Sequence, residues 1–282
     1  MSKPIIAIMY DFDKTLSTKD MQDYGFIPNL GIPSKEFWGG VAELKKAEDM
    51  DPVLAYLYYM LKMAEEKGVP VTREALVDSG KNIEYYPGVE EWFERINSYG
   101  EENGVTIEHY VISSGIKEII DGSSINKYFK KVYACEFLYN EDKKAVWPKV
   151  AVNYTNKTQF LFRINKGILD TWDDKKLNAY LPENERPIRF RNMIYIGDGL
   201  TDVPCMQLVK KNKGQSIAVF HQCKKQVANQ LLSENRVDFI TEADYRKDSE
   251  LDHIVKTIIE KMAVVEKLVK LNDEHKKSIS DA

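Results

Sequence analysis

The fold is decided by Met9–Ser17, MYDFDKTLS, which closes an apolar run that begins at Ile5. Ile5-Ile6-Ala7-Ile8-Met9-Tyr10 shows no polar alternation, which is the pattern of a strand covered on both faces. It runs directly into Asp11, Phe12 and Asp13. Side chains alternate along an extended backbone, so Asp11 and Asp13 share one side. Like charges that close repel, and each is costly to desolvate. Such a strand tip makes sense if something positive binds there, and a divalent metal is the first candidate.

Further strands are expected at 107–112 (IEHYVI), 131–138, 144–154 as a hairpin partner, 192–196 (NMIYI), 216–220 (SIAVF) and 237–240. Helical periodicity fills 26–82, clearest over 52–66, where Pro52 suits a first-turn position. Helices are also expected at 90–99, 116–129 and 157–165, and from an N-cap at Ser249 onward, with a frayed tail after Leu271. The stretch 169–189 is polar and reads as a surface excursion. Strands alternating with helices predict an α/β fold, a Rossmann-like parallel sheet flanked by helices. Ligands in such folds bind beyond the carboxyl ends of the strands. Three expected strands end in reactive residues: Asp11/Asp13, Ser113/Ser114, and Asp198/Asp202.

Composition narrows the function. The 282 residues carry a net charge of -4, without the basic surplus of a nucleic-acid-binding protein. No apolar run is long enough to span a membrane, and 5–10 is too short for a signal peptide. Cys135, Cys205 and Cys223 form no CxxC pair and read as reduced thiols, so a cytoplasmic protein is expected. The four histidines lack zinc-site spacing. The triplets at Asn153 and Asn156 match a glycosylation acceptor, but without an export signal they read as chance. P-loop, dinucleotide and nucleophile-elbow motifs are absent.

The remaining pattern suits phosphoryl chemistry. Asp11 and Asp198 are hard oxygen ligands suited to Mg²⁺. Ser113 with the N–H groups after it reads as a phosphate cradle at a helix start. Lys157 would screen phosphate from the carboxylates, which lets a carboxylate attack phosphorus.

DFDKT, SSG, the lysine of NKTQFLFRINKG, and GDGLTD resemble, in order, the four motifs of the haloacid dehalogenase-like (HAD) phosphohydrolases. The chain is most similar to the phosphoserine-phosphatase-like branch. The resemblance implies a core at 1–16 and 87–282 with a helical cap inserted at 17–86. It also implies a Mg²⁺-dependent phosphatase acting on a small phosphorylated metabolite. Asp11 would be the nucleophile. Asp13 would be the general acid–base and would offer its backbone carbonyl to the metal. Asp198 would complete the metal ligands and Asp202 would support them from behind. Thr15, Ser113, Ser114 and Lys157 would hold the phosphoryl group. Asp20, Met21 and Tyr24 would stand at the cap entrance as specificity residues. Asp20 is the candidate for the branch's amine-binding acid and Arg73 for its cap arginine. Two alternatives stay open: a phosphotransferase of the same fold, and a HAD-like protein that binds a phosphorylated ligand or a partner without turnover.

Overall fold

The protein is described by a computed structural model over residues 3–221 and 224–280. Among the described residues, seven strands form one sheet: β1 (Ile5–Tyr10), β2 (Thr106–Ile116), β3 (Phe129–Tyr139), β4 (Ala145–Val150), β5 (Met193–Gly197), β6 (Gln215–Phe220) and β7 (Phe239–Glu242). Their order is β4-β3-β2-β1-β5-β6-β7. Only the edge pair β3–β4 is antiparallel, so the sheet is mixed but mostly parallel. β1 lies at the centre with Ile6 to Tyr10 fully buried, which is why its sequence shows no alternation. The chain leaves β1 toward β2 on one side, while β5 flanks the other. This reversal of strand order opens a crevice at the carboxyl ends of β1 and β5.

Several boundaries differ from expectation. SSG does not open a helix: β2 runs on to Ile116, and the helix that follows is only Lys117–Asp121. Ile112 pairs with Tyr133 and Ile116 with Cys135, so two residues of β2 are in excess between these pairs. Ser113–Gly115 is therefore an irregularity in the ladder, a common device beside active sites. The C-terminal helix does not fray at Leu271 but runs Glu250–Ser280. Cys223 lies outside the described residues, whereas Cys135 and Cys205 are buried free thiols. No helix among the described residues is long and apolar enough to cross a membrane.

The insert between β1 and β2 is helical: Met21–Tyr24, Phe26–Leu30, Ser34–Ala47, Pro52–Glu66, Arg73–Ser79 and Gly80–Asn82. Asp51 caps the fourth of these by accepting from the N–H groups of Val53 and Leu54, with Pro52 supplying the first turn. Two crossings join the insert to the sheet, and they are bonded to each other. Thr18 N–H donates to Glu84 O at 3.0 Å and Tyr86 N–H to Leu16 O at 3.0 Å. The far side docks through bare backbone. A Cβ at Gly122 would lie 1.8 Å from Val77 O, and one at Gly80 would lie 2.0 Å from Ile119 O.

These contacts predict opposite outcomes for two glycine substitutions. Gly122→Ala forces backbone apart and should cost about 1–3 kcal/mol, read as a lowered Tm. Gly39, exposed in Ser34–Ala47 with nothing within 4 Å of its absent Cβ, should gain up to about 1 kcal/mol as alanine, from helix propensity.

Candidate active site

The crevice between β1 and β5 gathers the acidic residues. Asp11 N–H donates to Ile196 O at 2.9 Å, so the chain leaves β1 still in register with β5. Asp198 directly follows β5. Asp202 arrives on the short turn Leu200–Asp202, and its carboxylate lies against the end of β5, where a Cβ at Gly197 would be 2.6 Å from Asp202 Cγ. Glycine at 197 is thus a matter of space. Each of Asp11, Asp198 and Asp202 offers a carboxylate oxygen within 4.8 Å of the other two.

Lys157 binds two members of this trio. It opens the helix Lys157–Lys166 and is 1% exposed. Its ammonium lies 3.1 Å from Asp11 Oδ1 and 2.8 Å from Asp202 Oδ1. Tyr195 OH donates to the same Asp202 oxygen at 2.8 Å. Asp202 Oδ2 is buried with no hydrogen-bond partner. Three carboxylates face one buried ammonium, with Lys224 3.8 Å from Asp198 on the exposed side. The buried Asp11, Asp202 and Lys157 leave one net negative charge, half-buried Asp198 adds a second, and Asp202 Oδ2 stays unsatisfied. An all-oxygen donor set with that charge fits a hard divalent cation such as Mg²⁺.

Asp13 stands apart from the trio. Its Oδ1 accepts the Met21 N–H at 2.9 Å, and Met21 Sδ accepts the Ile116 N–H at 3.0 Å. Fully buried, Met21 lies over Gly115, where a Cβ would sit 2.1 Å from Met21 Cε and 3.2 Å from Asp13 Oδ2. Ser113 is buried beneath, its Oγ accepting the Gly115 N–H at 3.0 Å. The Ser114 carbonyl accepts from Tyr56 OH and, at 3.3 Å, from Cys135 S–H. Thr15 Oγ1 is buried without a partner, while its carbonyl accepts from Tyr245 OH at 2.8 Å. Asp20 is ion-paired with Lys14, a contact its carboxylate would have to leave to meet a substrate amine. Tyr24 does not face the site: its hydroxyl bonds Thr18, the Lys19 N–H and Glu84 O at the crossing. Arg73 is also elsewhere, 3.1 Å from Asp121, because the helix it opens docks on the flank of the sheet.

Two participants lay outside the sequence motifs. Tyr195 could have been found as a buried hydroxyl two residues before Gly197, on the same face of β5. Tyr56 had no local signal, since only the docking of its helix brings it to Ser114. A cleft of about 660 Å³ opens onto Asp198, lined also by Lys14, Tyr86, His221, Lys224 and Arg246.

Burial is the main influence on the acids. It raises Asp11 to about 6, with Lys157 pulling it back and Asp202 pushing it up. It lifts Asp13 well above the carboxylate range, reinforced by Asp20 and Asp11. It brings Asp198 to about 7, reinforced by Asp202 and Asp11. Burial opposes the charge on Lys157, but Asp11 and Asp202 outweigh it and hold the ammonium above its ordinary range.

A mostly parallel α/β sheet thus carries converging carboxylates at its switch point, under a helical insert. The model of the haloacid dehalogenase-like hydrolase family matches residues 8–207, and the chain belongs to that family. A Borreliella burgdorferi protein described as uncharacterized is 31% identical over 274 residues, covering 88% of this chain and 94% of that one. A phosphoserine phosphatase solved as a phospho-aspartyl intermediate analogue superposes with a TM-score of 0.56 at 17% identity, over 90% of this chain and 99% of that one. A substrate-bound phosphoserine phosphatase gives 0.55 at 16% identity, over 91% and 99%. A HAD family hydrolase from Salmonella enterica serovar Typhi gives 0.57 at 15% identity, over 86% and 69%. At these identities the solved structures speak to the fold.

The raised acids predict an unusual pH dependence for the metal-free protein. In the unfolded chain these carboxyls ionise near pH 4, whereas Asp11 and Asp198 hold their protons to about 6 and about 7 when folded. The folded state therefore binds more protons across that window, and stability falls as pH rises through it. In chelator, Tm should drop from about pH 4 to about pH 7, and Asp198→Asn should flatten the drop and raise Tm at the upper end.

Proposed function

We propose that the protein is a Mg²⁺-dependent phosphatase that hydrolyses a small phosphate monoester through an aspartyl-phosphate on Asp11. The observation that carries this reading is the placement of Lys157 between Asp11 and Asp202. The lysine neutralises part of the repulsion a phosphate dianion would meet while leaving Asp11 ionised for attack. Asp11, Asp198 and the backbone carbonyl of Asp13 would hold the metal, with Asp202 offering a third carboxylate oxygen directly or through a retained water. When bound, the metal supplies positive charge that offsets the phosphoryl oxygens.

Asp11 attacks phosphorus and the ester P–O bond breaks. Asp13, kept protonated by its surroundings, donates its proton to the departing alkoxide. The resulting carboxylate then takes a proton from the water that attacks the aspartyl-phosphate, releasing inorganic phosphate and restoring both acids. Lys157, Ser113, Ser114 and Thr15 hold the phosphoryl oxygens, Thr15 with a hydroxyl that has no protein partner. The helical insert acts as a cap, and its crossings at Leu16–Thr18 and Glu84–Tyr86 serve as the hinge. The leaving group then meets Met21 and Tyr56. The buried free thiols Cys135 and Cys205 suit a cytoplasmic setting.

Phosphate release should be measured across a panel of phosphate esters. Excess chelator should abolish it and Mg²⁺ restore it; full activity in chelator would sink the proposal. Asp11→Asn should leave no turnover with the fold intact. Asp13→Asn should slow turnover by about 10²–10⁴-fold. A phosphoryl group found by mass spectrometry on Asp13 instead of Asp11 would reverse the two roles. Tyr56→Phe should reorder the preferred esters while metal affinity is unchanged.

A further inference from the structure

We propose that the projecting end of the C-terminal helix is a self-association surface that pairs antiparallel with the same segment of a second copy of this chain. The helix Glu250–Ser280 has two apolar faces in succession. Over its first half, Val255, Ile258, Ile259 and Met262 are buried against the body of the protein. Further along, the Glu266 carboxylate accepts from Arg191 Nε at 3.0 Å. From Leu271 to Lys276 every residue is exposed. A second apolar set lies on the opposite side of the helix from the packed one. Val264, Leu268 and Leu271 are 55%, 62% and 51% exposed. At 3.6 residues per turn these three and His275 fall within an arc of about 60°, roughly opposite the face that packs inward.

The spacing of Val264, Leu268, Leu271 and His275, in steps of four, three and four, is that of alternating d and a positions in a heptad. The flanking charges select the occupant. Lys267 and Glu274 both take the g position on one edge of the stripe. In an antiparallel pair g residues meet g residues. Centring the two-fold between Leu268 and Leu271 sets Leu268 on the partner's Leu271 and Val264 on the partner's His275. Lys267 then meets the partner's Glu274, and the symmetry repeats that ion pair. A parallel pair would set Lys267 beside the partner's Asn272 and match neither charge. Within its own chain Glu274 has Lys270 at 3.9 Å, an exposed contact that is easily exchanged. Self-complementarity of this kind is what a two-fold interface requires. Three to four helical turns bury less than a standard interface of about 1,200–2,000 Å², so the dimer should be weak, with Kd in the micromolar range.

Sedimentation of the full chain from about 1 to about 200 µM tests this, independently of any catalytic reading. A shift from monomer to dimer across the range is expected. Leu268→Glu with Leu271→Glu should hold the chain monomeric throughout. Lys267→Glu and Glu274→Lys should each weaken association several-fold, and the two together should restore it. All these positions are exposed in the monomer, so circular dichroism melts of the variants should match the parent. A parent that stays monomeric at the highest concentration would overturn the proposal. So would a dimer that survives the paired leucine substitutions, or a charge exchange that restores nothing.

Discussion

Lys157 brings an ammonium into the protein interior, and the rest of the site is arranged around that charge. A lone buried lysine would lose its proton; Asp11 and Asp202 keep it charged, and it in turn keeps two crowded carboxylates from being intolerable. Its position is set by the turn before it. Asn153 accepts from the Asn156 N–H at 2.9 Å, and Asn156 Oδ1 accepts from the Asn153 N–H at 2.9 Å, which closes the loop that starts the helix. The two Asn-x-Thr triplets thus have a structural use in placing the lysine. Asn153 also donates to Asp51 Oδ2 at 3.1 Å, so the capping residue of an insert helix touches the same turn. The charge centre and the insert are mechanically connected.

The insert reaches the chemistry at a second point. Met21 uses its amide to hold Asp13 and its sulfur to receive the Ile116 N–H. Moving the first turn of the insert would break both contacts and change the surroundings of the Asp13 carboxyl. Burial is what raises Asp13, and part of that burial is supplied by the insert. If the insert opens as proposed, one methionine would couple that opening to the proton affinity of Asp13.

What could be read from the sequence divides along the range of the interactions. The strand tips were legible because a buried strand has a distinctive composition and Asp11 and Asp198 follow directly in the chain. Lys157 was legible through its motif, though its bond to Asp202 was not, because the two are linked only by folding. The bulge at Ser113–Gly115 was misread as a helix start because serine and glycine serve both purposes locally, and pairing with β3 decides between them. Tyr24 and Asp20 were placed at the entrance from their position in the chain. The structure engages them with Glu84, at the crossing out of the insert, and with Lys14, in the loop after β1. Tyr56 was invisible for the same reason: docking geometry between an inserted segment and the sheet leaves no periodic trace.

The central position of β1 has a consequence for how the chain comes to be folded. Ile5 pairs with Thr106 and Ala7 with Met193, so the first strand made has both its neighbours far along the chain. During synthesis this apolar strand must wait, unpaired on both edges until β2 has been made and on one edge until β5 follows. Loop closure over such separations is slow, and an unpaired apolar strand is the part of a nascent chain most prone to wrong partners. The insert shortens the first of these closures. Once its helices have packed, the crossings at Leu16–Thr18 and Glu84–Tyr86 bring the two halves of the core together, and β2 is delivered to β1 as a near neighbour. A segment placed there to cover a reaction would then also act earlier, as the clasp that lets the sheet begin.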